Sequence, residues 1–232
     1  MYIKSTTGIL QYKLLPNRDV ILIGEYHDSE WSCSKSPEMT IFEFCNERLK
    51  ANPKAVVLLE YNDSKISVNE RKKYGSKIIR DVYTISGGNF VRGRDIGVDI
   101  RLDHLTMDNQ QELYHGTKAF SPANLVSMYN PTKTNLDHSV CGDYEPMLDE
   151  YKINLDAEFE SIKGDCDVVD LQWAWSKFMD YRVLWEITRT DTDYTEVISV
   201  FGENHRKNIK NVMDEWQVKK IQDSNKCEFV KM

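Results

Sequence analysis

The 232-residue chain lacks the features of a disulfide-stabilised, membrane-spanning or nucleic-acid-binding protein. Its five cysteines are odd in number and contain no Cys-x-x-Cys pair, which favours reduced thiols over a disulfide framework or a zinc knuckle. No apolar run approaches the roughly 20 residues that a membrane span requires. The net charge of -7 is spread along the chain without a basic block, which argues against nucleic acid or an anionic membrane as the partner.

Several common catalytic and nucleotide-binding motifs are also missing. No Gly-x-Gly-x-x-Gly or Gly-Lys-Ser/Thr sequence accompanies Gly87-Gly88, so that pair predicts only a turn. Without Gly-x-Ser-x-Gly or His-Glu-x-x-His, the usual serine-hydrolase and zincin mechanisms have no support. The first seven residues lack the charged start and long apolar core of a signal peptide. We therefore expect a soluble cytoplasmic protein, whose oligomeric state the sequence leaves open.

Short apolar runs alternate with helical patterns over the first hundred residues. Buried strands are predicted at Asp19 to Ile23, Ala55 to Glu60 and Ile96 to Arg101. One helix is predicted from Ser36-Pro37 to Leu49, and a charged helix over roughly Val68 to Tyr83. This order of elements predicts a mainly parallel sheet with crossover helices.

A mainly helical block at about 105–189 interrupts this alternation. Its two longer helices are predicted at roughly Glu145 to Ile162 and Val168 to Thr188. Because the chain then returns to a strand at Thr195 to Phe201, the block is interpreted as an insertion over the sheet. The expected fold class is therefore α/β, a mainly parallel sheet with flanking helices and an inserted helical block, in a single domain over 1–232.

Both ends of the chain are predicted to add peripheral elements. The opening residues to about Lys13 are weakly strand-like and predict an edge strand. A helix rich in Asn and Lys is predicted over Arg206 to Trp216. Gln217 to Gln222 and Cys227 to Val230 would then form a terminal hairpin.

The most informative feature is a short unit that occurs twice, near opposite ends of the chain. Val20–His27 and Ile198–His205 each contain an apolar run followed by Gly, Glu, any residue and His. If each run is a buried strand, the polar residues lie at its carboxyl end, where α/β sheets bind ligands. A single histidine there is also explained as a cap on a turn, but two copies favour a shared site. His27 and His205 are thus candidate metal ligands or general bases.

Carboxylates accompany both histidines. Glu60 closes the second apolar run and would reach the same sheet edge as His27, as a proton acceptor or metal ligand. Glu25 and Glu203 each lie two residues before a histidine, so in extended backbone each would share its face and orient the imidazole. Both are equally explained as acceptors of backbone N–H groups at the turn.

The third predicted strand and the last helix add weaker candidates. Asp99 and Arg101 alternate onto one face, where they form an ion pair or where Arg101 stabilises a substrate oxygen. Asn208 follows His205 by about one helical turn and would share its face. The candidate metal ligands are His27, His205, Glu60, Glu203 and Asp99. Their spacing fits no particular metal, so the identity of a divalent ion stays open.

These motifs together resemble the TIKI/TraB superfamily, which is related to the erythromycin esterases and the ChaN haem-binding proteins. The matching positions are Gly24 with His27, Gly202 with His205, and Glu60 at the end of its strand. Gly24–His27 is especially similar to the first motif of the erythromycin-esterase branch. The resemblance covers strands at both ends of the chain and leaves the block at about 105–189 unaccounted for.

The resemblance implies hydrolysis of an ester or peptide bond in a small molecule or peptide. The reaction would depend on a metal, as in the TIKI branch, or on His and Glu alone, as in the esterase branch. The catalytic residues would be His27, His205, Glu60, Glu25 and Arg101. The alternative is a non-catalytic protein that binds haem, a metal or a small ligand, with Tyr26 or Tyr61 as an axial haem ligand.

Overall fold

The structure is a computed structural model that describes residues 2–3, 6–26, 38–60, 94–98, 136–162 and 168–225. The chain divides into two compact units, one formed by residues 1–98 with 192–232 and the other by residues 99–191. The boundaries expected for the helical insertion, about 105–189, fall inside the second unit. The predicted helix at Val68 to Tyr83 lies outside the described residues.

The described strands are β1 (Tyr2–Ile3), β2 (Thr6–Leu15), β3 (Arg18–Glu25), β4 (Glu38–Met39), β5 (Ala55–Leu59), β6 (Asp95–Gly97), β7 (Glu196–Gly202) and β8 (Lys219–Asn225). The described helices are α1 (Ile41–Ala51), α2 (Glu145–Ile162), α3 (Val168–Thr188) and α4 (Glu203–Glu215). A 3₁₀ segment, His138–Tyr144, precedes α2 and contains a positive φ of 55° at Gly142.

The first unit is built on a six-stranded sheet in the order β6-β5-β7-β3-β2-β8. Strands β6, β5, β7 and β3 run parallel, whereas β2 is antiparallel to both β3 and β8. Every residue of β5 and β7 is buried, as expected for central strands of a parallel sheet. The predicted α/β class, with a mainly parallel sheet, is confirmed.

One face of this sheet packs against α1. Alternate residues of three parallel strands, including Ile23, Val57 and Val200, form an apolar cluster with the inward face of the helix. The α1 residues in this cluster are Ile41, Phe44, Cys45 and Leu49. These positions recur at the spacing of a single helical face, so burial of that face fixes the helix on the sheet.

Helix α1 begins later than predicted. Its N-cap is Thr40, whose hydroxyl accepts a hydrogen bond from the Glu43 backbone N–H at 3.0 Å while the Glu43 carboxylate accepts from the Thr40 N–H at 2.7 Å. This capping box satisfies two backbone donors of the first turn. The prediction of a helix start at Ser36-Pro37 is therefore wrong, because Glu38–Met39 is strand β4 and the stronger cap lies four residues further on.

The two ends of the chain also differ from expectation. Strand β2 is not an edge strand, because β8 pairs antiparallel with its outer side. Lys219–Asn225 is one continuous strand of the sheet and extends beyond Gln222, the end predicted for the first arm of a terminal hairpin. Residues 227–230, the second arm predicted for that hairpin, lie outside the described residues.

The second unit contains the two long helices at the predicted bounds. Helices α2 and α3 contact each other through Phe159 and Phe178, whose rings meet edge to face at 5.7 Å, and through the stacked rings of Tyr151 and Tyr181 at 6.3 Å. None of the described helices combines the length and the apolar content needed to cross a membrane.

The sequence places His138, with His104 and His115, in the helical block or its loops, where histidines are expected on the surface. For His138 this prediction is wrong. Its side chain is only 10% exposed, because its Nδ1 contacts Asp149 and its Nε2 lies 2.5 Å from the Tyr181 hydroxyl. The imidazole therefore joins the 3₁₀ segment to both α2 and α3. The other two histidines of the predicted helical block, His104 and His115, lie outside the described residues.

A buried hydroxyl in β7 leads to a prediction about the stability of the protein. Ser199 is fully buried between Leu22 and Leu58, and its Oγ has no hydrogen-bond partner among the described residues. An unsatisfied buried hydroxyl lowers stability by about 1 kcal/mol or more. We expect Ser199→Ala to raise the free energy of unfolding by about 1 kcal/mol in urea denaturation.

Ser224 of β8 is the matched control. It is also buried in the same sheet, but its hydroxyl accepts a hydrogen bond from Gln222. Ser224→Ala should therefore lower the free energy of unfolding. Equal losses of stability in both variants would contradict the assignment of Ser199 as an unsatisfied group.

Candidate functional site

Polar residues follow the ends of adjacent parallel strands at one edge of the first unit's sheet. Strand β7 lies between β3 and β5, and the register pairs Glu25 with Gly202 across β3 and β7. Glu60 directly follows β5, whose last residue, Leu59, pairs with Val200 of β7. The carboxyl ends of all three strands therefore form one rim, as the sequence predicted.

Glu60 and His205 form the centre of this rim. One carboxylate oxygen of Glu60 accepts a hydrogen bond from the Gly202 backbone N–H at 2.9 Å, which continues the hydrogen-bonding of β7 past the end of β5. The other oxygen lies 3.5 Å from Nε2 of His205. The two side chains are 8% and 7% exposed, so little water screens their interaction.

The start of α4 places His205 in this position. Gly202 is the N-cap of the helix, and no side chain caps it. The first helical turn follows at once, with Glu203 as its first residue and His205 as its third. The Glu60 carboxylate thus binds at the positive end of the helix dipole. The Phe201 ring, 6.3 Å from the imidazole, covers His205 from the strand side.

Glu203 does not lie on the same side of the backbone as His205. The sequence predicted extended backbone here and a helix beginning at Arg206, but the helix begins at Glu203. Residues two apart in an α-helix point about 200° apart around the axis, so the predicted shared face is wrong. The carboxylate binds Arg206 instead, accepting from Nε at 2.8 Å and from Nη2 at 2.7 Å.

The Glu203–Arg206 pair is held against two bare glycine backbones. The Thr7 hydroxyl of β2 donates to Glu203, and Lys207 lies 3.7 Å from the same carboxylate. A Cβ on Gly24 would meet Glu203 Oε2 and would lie 2.7 Å from Cδ of Arg206. A Cβ on Gly8 would lie 3.0 Å from Cζ of Arg206 and 2.8 Å from the Ser224 carbonyl oxygen. Glycine is therefore required at both positions for the ion pair to reach the sheet.

The environment of Glu203 stabilises its carboxylate form. Burial alone would raise its pKa, but the hydrogen bonds from Arg206 and Thr7, with the charges of Arg206 and Lys207, outweigh burial and lower the pKa below 4.5. Arg206 responds in the opposite direction, because its hydrogen bonds to Glu203 raise its pKa. Both groups are charged at neutral pH.

Glu25 lies on the other face of the sheet. Strand side chains alternate, and Gly24 faces Glu203 and Arg206 of α4, whereas Ile23 belongs to the cluster around α1. Glu25, which is fully buried, therefore projects towards the α1 side. The structure brings its backbone beside Gly202 but does not direct its side chain towards His205.

Several predicted site residues lie outside the described residues, namely His27, Tyr61, Asp99 and Arg101. Tyr26, the last described residue before His27, is 53% exposed at the end of β3. Asn208 lies in α4 one turn after His205, as predicted. The sequence interpretation missed Thr7, Gly8 and Arg206. Residues three apart pair on a helix, so the sequence would have indicated the Glu203–Arg206 ion pair if the predicted helix had begun at Glu203 and not at Arg206.

Two ligand-type side chains, His205 and Glu60, are adjacent and suit a divalent metal. Within the described ranges, no group of three or more His, Cys, Asp or Glu side chains could hold one. Glu203, a candidate ligand, has both carboxylate oxygens bonded to Arg206. A complete ligand set would therefore need a residue beyond those ranges, such as His27 or Asp99.

No protein-family model, no curated protein and no solved structure matches the chain. The fold and the site themselves define an α/β protein with a buried His–Glu pair at the carboxyl ends of adjacent parallel strands.

The lowered pKa of Glu203 predicts a dependence of stability on pH. Because the folded-state pKa lies below that of the unfolded chain, the ion pair stabilises the protein above pH 4.5 and the stabilisation is lost as pH falls through the folded pKa. At pH 7 we expect Glu203→Gln to lower the free energy of unfolding by about 2 kcal/mol. The difference from the wild type should shrink below pH 4.5, as followed by urea denaturation at several pH values.

Glu215→Gln, an exposed change near the end of the same helix, is the matched control and should leave the stability profile unchanged. A difference between Glu203→Gln and the wild type that stays constant down to strongly acidic pH would contradict the assignment of a charged Glu203.

The close approach at Gly24 makes a second prediction. Gly24→Ala should displace the Glu203–Arg206 pair and lower the free energy of unfolding by about 1–3 kcal/mol in urea denaturation. In a Glu203→Ala background the same change should cost less, because the nearest obstructing atom is gone. Equal costs in both backgrounds would show that the crowding at Gly24 does not involve this carboxylate.

Proposed function

We propose that the protein hydrolyses ester or peptide bonds at the carboxyl ends of β3, β5 and β7, with His205 and Glu60 as its central residues. The observation that carries this proposal is the buried contact of 3.5 Å between the two side chains, which lie 145 positions apart in the sequence and meet at the ligand-binding rim of a parallel sheet. An imidazole beside a carboxylate is one arrangement that supports general-base catalysis.

His205 acts in this proposal as the base that activates water. Since Nε2 faces Glu60, the ring nitrogen that removes the proton is Nδ1. The water oxygen attacks the carbonyl carbon, the bond to the alcohol or amine breaks, and the proton held by His205 passes to the leaving group. Glu60 stabilises the imidazolium that forms between these steps, while the Gly202 N–H fixes the carboxylate.

The residues beyond the described ranges keep their predicted roles in the proposal. Arg101 stabilises the negative charge that develops on the carbonyl oxygen. His27, two residues after β3 in the sequence, would act as a general base or metal ligand, while the side chain of Glu25 projects towards the α1 side. In a metal-dependent form, His205 and Glu60, with His27 and Asp99, would hold a divalent ion, which would lower the pKa of a bound water.

A second candidate function is non-catalytic binding of haem, a metal or another small ligand at the same rim. The observation that favours it is the exposure of Tyr26 directly after β3, because a tyrosine can serve as an axial haem ligand. Tyr61, directly after Glu60, is the second tyrosine of this hypothesis.

Hydrolysis of p-nitrophenyl esters and of a fluorogenic peptide library tests the proposal, together with elemental analysis of the purified protein. We expect Glu60→Gln and His205→Ala to lower kcat by about 100-fold or more. Glu60→Gln keeps a side-chain oxygen that can accept from the Gly202 N–H but removes the charge beside the imidazole, so its effect separates chemistry from folding. His27→Ala should lower kcat as well.

His115→Ala is the control, because this histidine has no predicted role. Full turnover in both His205→Ala and Glu60→Gln would overturn the proposal. Stoichiometric metal that a chelator removes together with activity would select the metal-dependent form. A Soret band on adding haem, without turnover of any substrate and lost in Tyr26→Phe, would instead establish the binding function.

A further inference from the structure

Arg206 has no part in the proposed chemistry, yet it is the cation of α4 most firmly built into the fold. Its side chain is 10% exposed, whereas Lys210 and Lys207 of the same helix are 28% and 61% exposed. A guanidinium is buried in this way only when its donors are satisfied, and two of them donate to Glu203. Because Arg206 directly follows His205 in the sequence, the contacts that bury Arg206 also affect where the His205 side chain lies.

The Arg206 side chain fixes one side of α4 to two strands. Cδ lies against the backbone of Gly24 in β3, and Cζ lies against Gly8 in β2. Its partner Glu203 accepts a hydrogen bond from Thr7 of β2 as well. The first turn of the helix is thus held to β2 and β3 by a rigid planar group that lies against two glycines.

His205 leaves the same turn in another direction. Consecutive residues point about 100° apart around a helix, so the imidazole reaches Glu60 after β5 while the guanidinium reaches β2 and β3. Rotation of α4 about its axis would therefore move both side chains together. A change of about 1 Å at the His205–Glu60 contact would weaken their electrostatic coupling and misplace the catalytic nitrogen.

We propose that Arg206 is a positioning residue that sets the rotation of α4 and thereby holds His205 against Glu60. The expected effect of Arg206 on catalysis rests on the proposed function, but its effect on the His205–Glu60 contact does not. Lysine cannot replace it, because an ammonium group lacks the planar fork that binds Glu203 through two nitrogens while lying flat on glycine.

The test measures the coupling between His205 and Glu60 with and without Arg206. The imidazole of His205 is titrated by NMR, and its resonance is identified by its loss in His205→Ala. In the wild type, Glu60→Gln should move the titration midpoint to lower pH, because a carboxylate nearby favours the imidazolium. In an Arg206→Lys background, the same change should move it by less than about half as much.

Activity gives a second readout. Arg206→Lys should lower kcat by about tenfold and leave KM within about twofold, because the reacting nitrogen is misplaced while substrate contacts remain. Near-UV circular dichroism checks that the variant is folded. If Arg206→Lys does not fold, Thr7→Val, which removes one donor to Glu203, provides a milder change with the same readouts.

Arg189→Lys is the matched control, because Arg189 also pairs with a glutamate three residues earlier in the chain, Glu186, but in the other unit. It should lower the melting temperature without altering the His205–Glu60 coupling. The proposal is overturned if Arg206→Lys is destabilised but keeps full coupling and kcat, or if Glu60→Gln leaves the titration of His205 unchanged in the wild type. If the wild type hydrolyses nothing, the proposed function fails, while the NMR measurement still decides the role of Arg206.

Discussion

The pairing of β7 between β3 and β5 is the constraint on which the rest of the first unit depends. The Gly202 N–H and the Glu60 carboxylate, 142 positions apart in the chain, are joined only because β7 fills this place in the sheet. All seven residues of β7 are buried, so a shift of register by one residue would exchange the side chains that pack on the two faces of the sheet. The same register sets Glu25 beside Gly202 and directs α4 over Gly24.

The repeated Gly-Glu-x-His unit does two different things in its two copies. In the first copy, Gly24 belongs to the strand and lies beneath an ion pair, and Glu25 faces the α1 side. In the second copy, Gly202 caps a helix and Glu203 forms that ion pair. The first glycine therefore accommodates the second glutamate. The Gly-Glu portions of these two similar sequences are therefore interlocking parts of one structure, with different contacts in each copy.

The sequence was sufficient for the class of fold and for the long elements. Buried strands such as β5 and long helices such as α2 and α3 carry patterns that depend only on local periodicity and burial. The pairing of β8 with β2 could not be predicted, because it depends on contacts between chain ends with weak local signals. The start of α1 was missed because Thr40 with Glu43 competes with Ser36-Pro37 as a helix start.

For the candidate site, the sequence placed Glu60 and His205 at the same rim because parallel strands end on the same side. It did not predict the role of Glu203, since a shift of three residues in the start of α4 changes which side chains share a face. Arg206 was missed for a related reason. It packs against Gly8 and Gly24, and a glycine in a strand does not indicate from sequence which side chain will lie against it.

The central place of β7 has a consequence for how the polypeptide is made. A ribosome completes β3 and β5 long before it reaches Glu196, so for most of translation these two apolar strands lack the neighbour that later separates them. Their facing edges carry exposed backbone donors and acceptors during that interval. The nascent chain must therefore keep two aggregation-prone strands apart, or shielded by chaperones, until the residues of β7 emerge.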